Sequence, residues 1–267
     1  MTGSRMTTGG VVIAVLLAAG WLGARVGERA WGAIRSDMPA LTGGDLEAAA
    51  GEGLMIGLFG GFRAITADML WVRTNAVWEA QDVPGTQALI RMVTIVDPRP
   101  ILFWINGARM IAYDMPVWRA DSARGAGRDV PRAVQARIVE EQAEVALALL
   151  HRAEVFHPEE PLLVIERANI VQRKLGDLGR AAALYRQAAQ MPGAPYYAAR
   201  IHAELLRRIG REHDALAWLV EVHQQLPADD PMAMRDLVLG RIRDLEETLQ
   251  VPVQQRYAPI EASGGDR

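Results

Sequence analysis

Cysteine is absent from the 267 residues. That excludes a disulfide framework, a thiolate nucleophile and a sulfur-ligated metal, and it leaves the compartment open. Strand-like alternation of apolar and polar residues is nearly absent too, which excludes a sheet-based fold. Lysine is almost missing: Lys174 stands alone among 29 basic residues. A GC-rich coding bias toward arginine is the expected reason, a functional one the alternative. The formal net charge of −3 gives no general basic field and argues against nucleic acid as a partner.

Catalytic constellations are missing as well. His151 and His157 are six residues apart and do not share a helix face as i, i+4 ligands would. His202, His213 and His223 form no ligand spacing, and His213 with Asp214 falls where a solvated turn is expected. The carboxylate pairs Glu140-Glu141, Glu159-Glu160 and Glu246-Glu247 are adjacent, so on a helix they diverge by about 100°. They are solvated faces, not acid–base pairs. The glycine-rich stretch near Gly57 has neither the following Lys-Ser/Thr nor the preceding strand of a phosphate loop. Asp68 and Arg73 are the best candidates for a functional buried pair, but a structural ion pair or two unrelated surface charges is the expected reading. No enzyme activity, cofactor or metal is expected.

What is present is periodicity. The segments 175–192 and 209–227 superpose at an offset of 34 residues. Leu175-Gly176 recurs as Ile209-Gly210, Ala181 as Ala215, Tyr185 as Leu219 and Ala188 as Val222. Small residues at 181 and 188 let two helices approach, and Tyr185 fills the groove beside them. Gly176 and Gly210 close a first helix where a left-handed residue is wanted. Pro192, Pro195 and Pro227 lie beyond the second helices, where a missing N–H does no harm.

This pattern resembles the tetratricopeptide repeat, a 34-residue helix–turn–helix unit that cannot bury its apolar face alone. The resemblance implies an all-α fold: an α-solenoid of about four helix pairs that binds other proteins and does no chemistry. Upstream the period is degenerate. Ala146, Leu150 and Ala153, ending at Pro158, keep the spacing of a second helix. Its first helix starts at Ile101, with Trp104 fourth and Ala108 eighth. Residues 114–132, with Pro116 and Pro131, are expected as an insertion between them. A further unit begins near Ala67, turns at 82–85, carries Ile90 and Val93 in its second helix, and ends at Asp97-Pro98. Residues 232–250 are expected as one capping helix.

The expected division is a tail at 1–8, an anchor at 9–26, a linker and apolar glycine-rich segment at 27–61, the repeat domain at 62–250 and a disordered tail at 251–267. Residues 9–24 carry no charge and lie between Arg5 and Arg25. Extended back to Thr7 and, with Arg25 snorkelling, on to Val26, the stretch reaches the length of about 20 residues that a spanning helix needs. A cleaved signal peptide and a buried helix are the competing readings. The cut site at 18–20 is poor because Trp21 and Leu22 continue the apolar run. A Lys/Arg count would keep the following domain in the cytoplasm, whereas a short basic tail before an apolar stretch is the export pattern. The expectation is a single-pass bacterial inner-membrane protein with a periplasmic repeat domain, the cytoplasm-facing arrangement being the alternative. The stretch at 62–71 also resembles membrane-anchored bacterial repeat proteins of unknown function.

In the tetratricopeptide family, positions two, five, nine and twelve of each first helix face a concave groove. Carried over, the resemblance implies a protein- or peptide-binding surface of Leu163, Glu166, Ile170 and Arg173 in one unit, and Tyr197, Arg200, Glu204 and Arg207 in the next. Arginine forks suit carboxylates and carbonyls, and Tyr197 offers an apolar anchor with a polar tip. The expected function is a membrane-tethered scaffold or assembly factor. The alternative is a chaperone-like factor that holds exported chains at the membrane.

Overall fold

The computed structural model describes residues 63–125 and 130–259, and among them every regular element is helical. The first pair is α1 (Arg63–Glu79) and α2 (Val83–Val96). Helix α3 (Ile101–Arg109) runs through a π-helical turn, Met110–Asp114, into α4 (Met115–Gly125). The long α5 (Arg132–Ala153) packs back on it. Next come α6 (Pro161–Ile170), itself extended by a second π-turn, Val171–Leu175, and α7 (Leu178–Ala189). Helices α8 (Tyr197–Arg208) and α9 (Glu212–Gln225) form another pair, and α10 (Arg235–Thr248) follows.

Local chemistry sets these boundaries. Asp82 caps α2 by accepting from the Gly85 amide at 3.0 Å, with Pro84 in the first turn. The helix stops one residue before Asp97-Pro98 because the residue preceding a proline disfavours the α region. Asp177 caps α7 by accepting from the Arg180 amide at 2.8 Å. Gly176 and Gly210 stand at φ +70° and +75°, the left-handed conformation a tight turn demands. Short turns of this kind make consecutive helices antiparallel neighbours.

Each helix packs mainly on its neighbours in sequence. The apolar interior accordingly divides into three clusters in chain order. The first is Ala67, Val93 and Phe103. The second runs from Ile90 and Trp104 through Leu150, Leu163 and Tyr185 to Leu205. The third spans Ala199, Ala215, Leu219, Val238 and Ile242. Gly107 marks the closest approach: a Cβ there would stand 2.6 Å from Ile90 Cγ2, so α3 and α2 touch where only glycine fits.

Four expectations change. The stretch at 114–132 begins as helix, because the first helix does not stop at Tyr113. The Met115 amide bonds to the Met110 carbonyl, five residues back. Pro116, which lacks an N–H, falls where the ladder is already interrupted. Met115 and Trp118 of α4 are buried, and Trp118 meets Trp78 edge to face at 6.0 Å between centroids. The capping helix starts at Arg235, not 232. A 3₁₀ turn, Pro231–Ala233, and a left-handed Met234 at φ 49° precede it. The C-terminal segment is placed as far as residue 259, where Tyr257 packs on His223 with ring centroids 5.5 Å apart. Asp68 and Arg73 are both exposed, in keeping with two surface charges. Among the described residues the buried carboxylates are Asp97, Glu166 and Glu246, so Glu246, held by Arg243, is not the solvated face expected of the Glu246-Glu247 pair.

Among the described residues no helix is long and apolar enough to cross a membrane. The anchor expected at 9–26 and the segment at 27–61 lie outside the described residues.

Candidate partner-binding surface

Side chains of one first helix meet those of the next: α3 with α6, and α8 with α10. Six of the eight expected residues lie along this line. Leu163 and Ile170 do not reach it, since both are wholly buried in the central cluster. Helix α6 is flanked by α5 and α7, and positions two and nine point between helices, not outward. Glu166 is also buried, but its carboxylate is turned to Arg109, whose Nη2 donates to Oε2 at 2.7 Å. Arg173 is exposed and Tyr197 is 39 % exposed. Arg200 donates to the Ala233 carbonyl at 3.3 Å. Glu204 takes Arg207 at 2.8 Å and Arg241 at 3.8 Å.

The residues that sequence reasoning missed, Tyr113, Asp114 and Lys174, sit on the two π-turns, beside the expected Arg173. Both turns occupy the same register of their helices, nine or ten residues in. A π-turn inserts a residue and re-aims the side chains after it. Here the re-aimed residues are Tyr113 and Asp114 on one turn, and Arg173 and Lys174 on the other. Lys174 Nζ lies 4.4 Å from the centre of the Tyr113 ring. Asp114 Oδ2 accepts from Trp78 Nε1 at 2.9 Å. Beside them the Tyr185 hydroxyl donates to Asn169 Oδ1 at 2.7 Å, and Asn169 Nδ2 donates to Glu166 Oε2 at 3.4 Å. The one available signal was the solitary lysine, which composition alone assigned to coding bias.

Burial governs the electrostatics. It pushes the Tyr185 hydroxyl up to about 12 and raises Tyr113 and Tyr197, with Glu166 adding to each. It pulls the Lys174 ammonium below its ordinary range, while Asp114 acts the other way. Arg109 is raised, first by its hydrogen bond to Glu166. The line continues into a hollow of about 350 Å³ between α8, α9 and α10, lined by Glu204, Arg207, Arg241 and Asp244.

A second groove, about 810 Å³, runs between the second helices α7 and α9 beside the end of α8. His202 and Trp218 line it, edge to face at 4.9 Å, with the Arg186 guanidinium 5.7 Å from the Trp218 ring. The His202 Nδ1–H donates to the Ala182 carbonyl at 2.7 Å. Burial holds His202 and His223 below the ordinary value of 6.5. Both are neutral in the fold, and the unfolded chain takes up protons first on acidification. Their contribution is therefore complete above about pH 6.5 and is lost as pH falls through the lower folded values. The melting temperature is expected to fall between pH 7.5 and 5, and to fall less in His202→Phe. A flat profile in the natural chain would contradict this.

No protein-family model matches the chain, and no curated protein matches it.

Proposed function

We propose that the chain is a membrane-tethered scaffold: a tetratricopeptide-like α-solenoid that holds an extended segment of another protein across its first helices. Residues 9–26 are its anchor, and the repeat domain stands on the periplasmic side of a bacterial inner membrane. The observation that carries this reading is the row of polar and aromatic side chains presented by successive first helices: Tyr113, Lys174, Arg173, Tyr197 and Arg200. Tyr197 supplies a half-exposed ring with a polar tip, the residue type enriched at interfaces. Neighbour-on-neighbour packing and the three-part core agree with a quasi-one-dimensional array.

The chaperone-like alternative draws on a different feature. Ile65, Met69 and Val72 form an exposed apolar stripe at i, i+4, i+7 on α1, suited to unstructured apolar chain.

A photo-crosslinking amino acid in place of Tyr197, in the full chain in intact cells, tests both. The scaffold gives one or a few discrete adducts that stay in the membrane pellet after a carbonate wash, and none from Arg180 on a second helix. A broad ladder of adducts would favour the chaperone. No adduct at Tyr197, or equal adducts at both sites, would overturn the groove.

A further inference from the structure

The first-helix surface holds more cations than it pairs. Glu166 is engaged by Arg109 and Asn169. Glu204 is engaged by Arg207 and Arg241. The Asp114 carboxylate takes the Trp78 indole. Each of these three carboxylates thus has its donor, and Asp114 also acts on the Lys174 ammonium. The cations left over are Arg173, Lys174 and Arg200. Among the described residues Arg200 donates only to a backbone carbonyl, and it lies beside Arg241, which joins burial in holding its own value down. Arg173 and Lys174 are neighbours on the second π-turn, and among the described residues neither has a hydrogen-bond or ion-pair partner, Asp114 acting on Lys174 from beyond ion-pair distance.

This excess is local, because the chain as a whole carries −3. It also follows from backbone geometry. The π-turns bring an ammonium over an aromatic ring, where it gains a cation–π contact but, among the described residues, no acceptor for its three N–H donors. A partly desolvated cation with unspent donors is a standing cost that an incoming anion removes.

Resting on the scaffold reading above, we propose that the segment held across the first helices is acidic, and that one of its aspartate or glutamate side chains seats between Lys174 and Arg173 against the Tyr113 ring. The carboxylate takes the free donors of both cations, and the ring covers the stem of the bound residue. Arg200, further along the same line, meets a second acid of an extended chain. A neutral or basic segment leaves all three cations unmatched, so charge gives selectivity as well as attraction.

The solitary lysine makes the test direct, since Lys174 is the single lysine of the sequence and its acylated peptide is unambiguous. The probes are a fluorescein-labelled Glu-Ser decapeptide and its Gln-Ser counterpart, titrated into the full chain in detergent and followed by anisotropy. The acidic peptide is expected to bind about tenfold more tightly than the neutral one, the gap narrowing with salt. It is expected to slow acylation of Lys174 by an N-hydroxysuccinimide ester, read by mass spectrometry. Arg173→Gln with Lys174→Gln should abolish the preference with melting unchanged, while the same charge change at Arg180 and Arg186 should keep it. Equal binding of the two peptides, an unprotected Lys174, a preference that survives the double variant, or equal loss from the control pair would each overturn the acidic seat. Discrete adducts at Tyr197 without an acidic preference would leave the scaffold standing and remove only this inference. Protection of Lys174 without adducts would do the reverse.

Discussion

Arginine in place of Ala188 is expected to unfold most of the repeat domain or to lower its melting temperature by about 10 °C. Ala188 has no exposed surface and lies in the central cluster with Ala181 and Tyr185, where α7 meets its neighbours. A long side chain there has to force helices apart. Overpacking of this kind costs about 1–3 kcal/mol by itself. A guanidinium without a partner in the core adds several more. At roughly 2–4 °C per kcal/mol for a domain of this size, the shift is well outside error. Arginine at Gln187, one residue away and exposed, carries the same charge without the burial. It should leave melting within about two degrees, as surface changes usually do. Thermal circular dichroism on the two variants decides it. An unchanged melt for Ala188→Arg would mean that the packing register around α7 is wrong.

That register was legible because it is written in residue size and backbone conformation. Ala181, Tyr185 and Ala188, and Ala215 with Leu219, were picked by spacing alone, and all five are buried. Gly176 and Gly210 were placed at turns and both take positive φ. Even in the degenerate upstream units, Ala146, Leu150, Ala153, Ile90 and Val93 have no exposed surface. The signal slipped by one position at the end of α9, where His223 is buried in place of Val222.

Three things were not legible, each for a physical reason. A π-turn leaves no mark in apolar spacing, because it shifts the ladder by one residue inside a continuous helix. Met110–Asp114 therefore looked like the end of a helix, and the proline after it looked like a breaker. Partners far apart in sequence were hidden too. Glu166 looked like one acidic residue among many, and only the fold brings Arg109, 57 positions away, to its carboxylate. The surface was read from a family rule that takes each first helix to be equally open. Leu163 and Ile170 fail that rule because α5 and α7 close over α6.

Removing the Arg109 side chain is the second large effect expected, and it tests whether stability and the partner surface share one contact. Glu166 is 3 % exposed, and in Arg109→Ala its carboxylate keeps a single protein donor, the long 3.4 Å bond from Asn169. Breaking a fully buried pair from one side costs about 3–5 kcal/mol because the remaining charge stays buried. More than half of the Arg109 side chain faces solvent, so screening reduces the figure to about 2–3 kcal/mol. That corresponds to a melting temperature lower by roughly 4–12 °C. Glu166→Gln added to Arg109→Ala should recover much of the loss, since a neutral amide needs no counter-charge. The pair also bridges α3 to α6 ahead of the two π-turns, so its loss is expected to disturb the register that lays Lys174 on Tyr113. Arg109→Ala should therefore change the acylation rate of Lys174 at temperatures where the domain is still folded, and the double variant should not restore it. A melt within about two degrees of the natural chain would show that water replaces the arginine at no cost. A double variant that melts no higher than the single one would show that the lost packing of the arginine stem, not the stranded carboxylate, sets the effect.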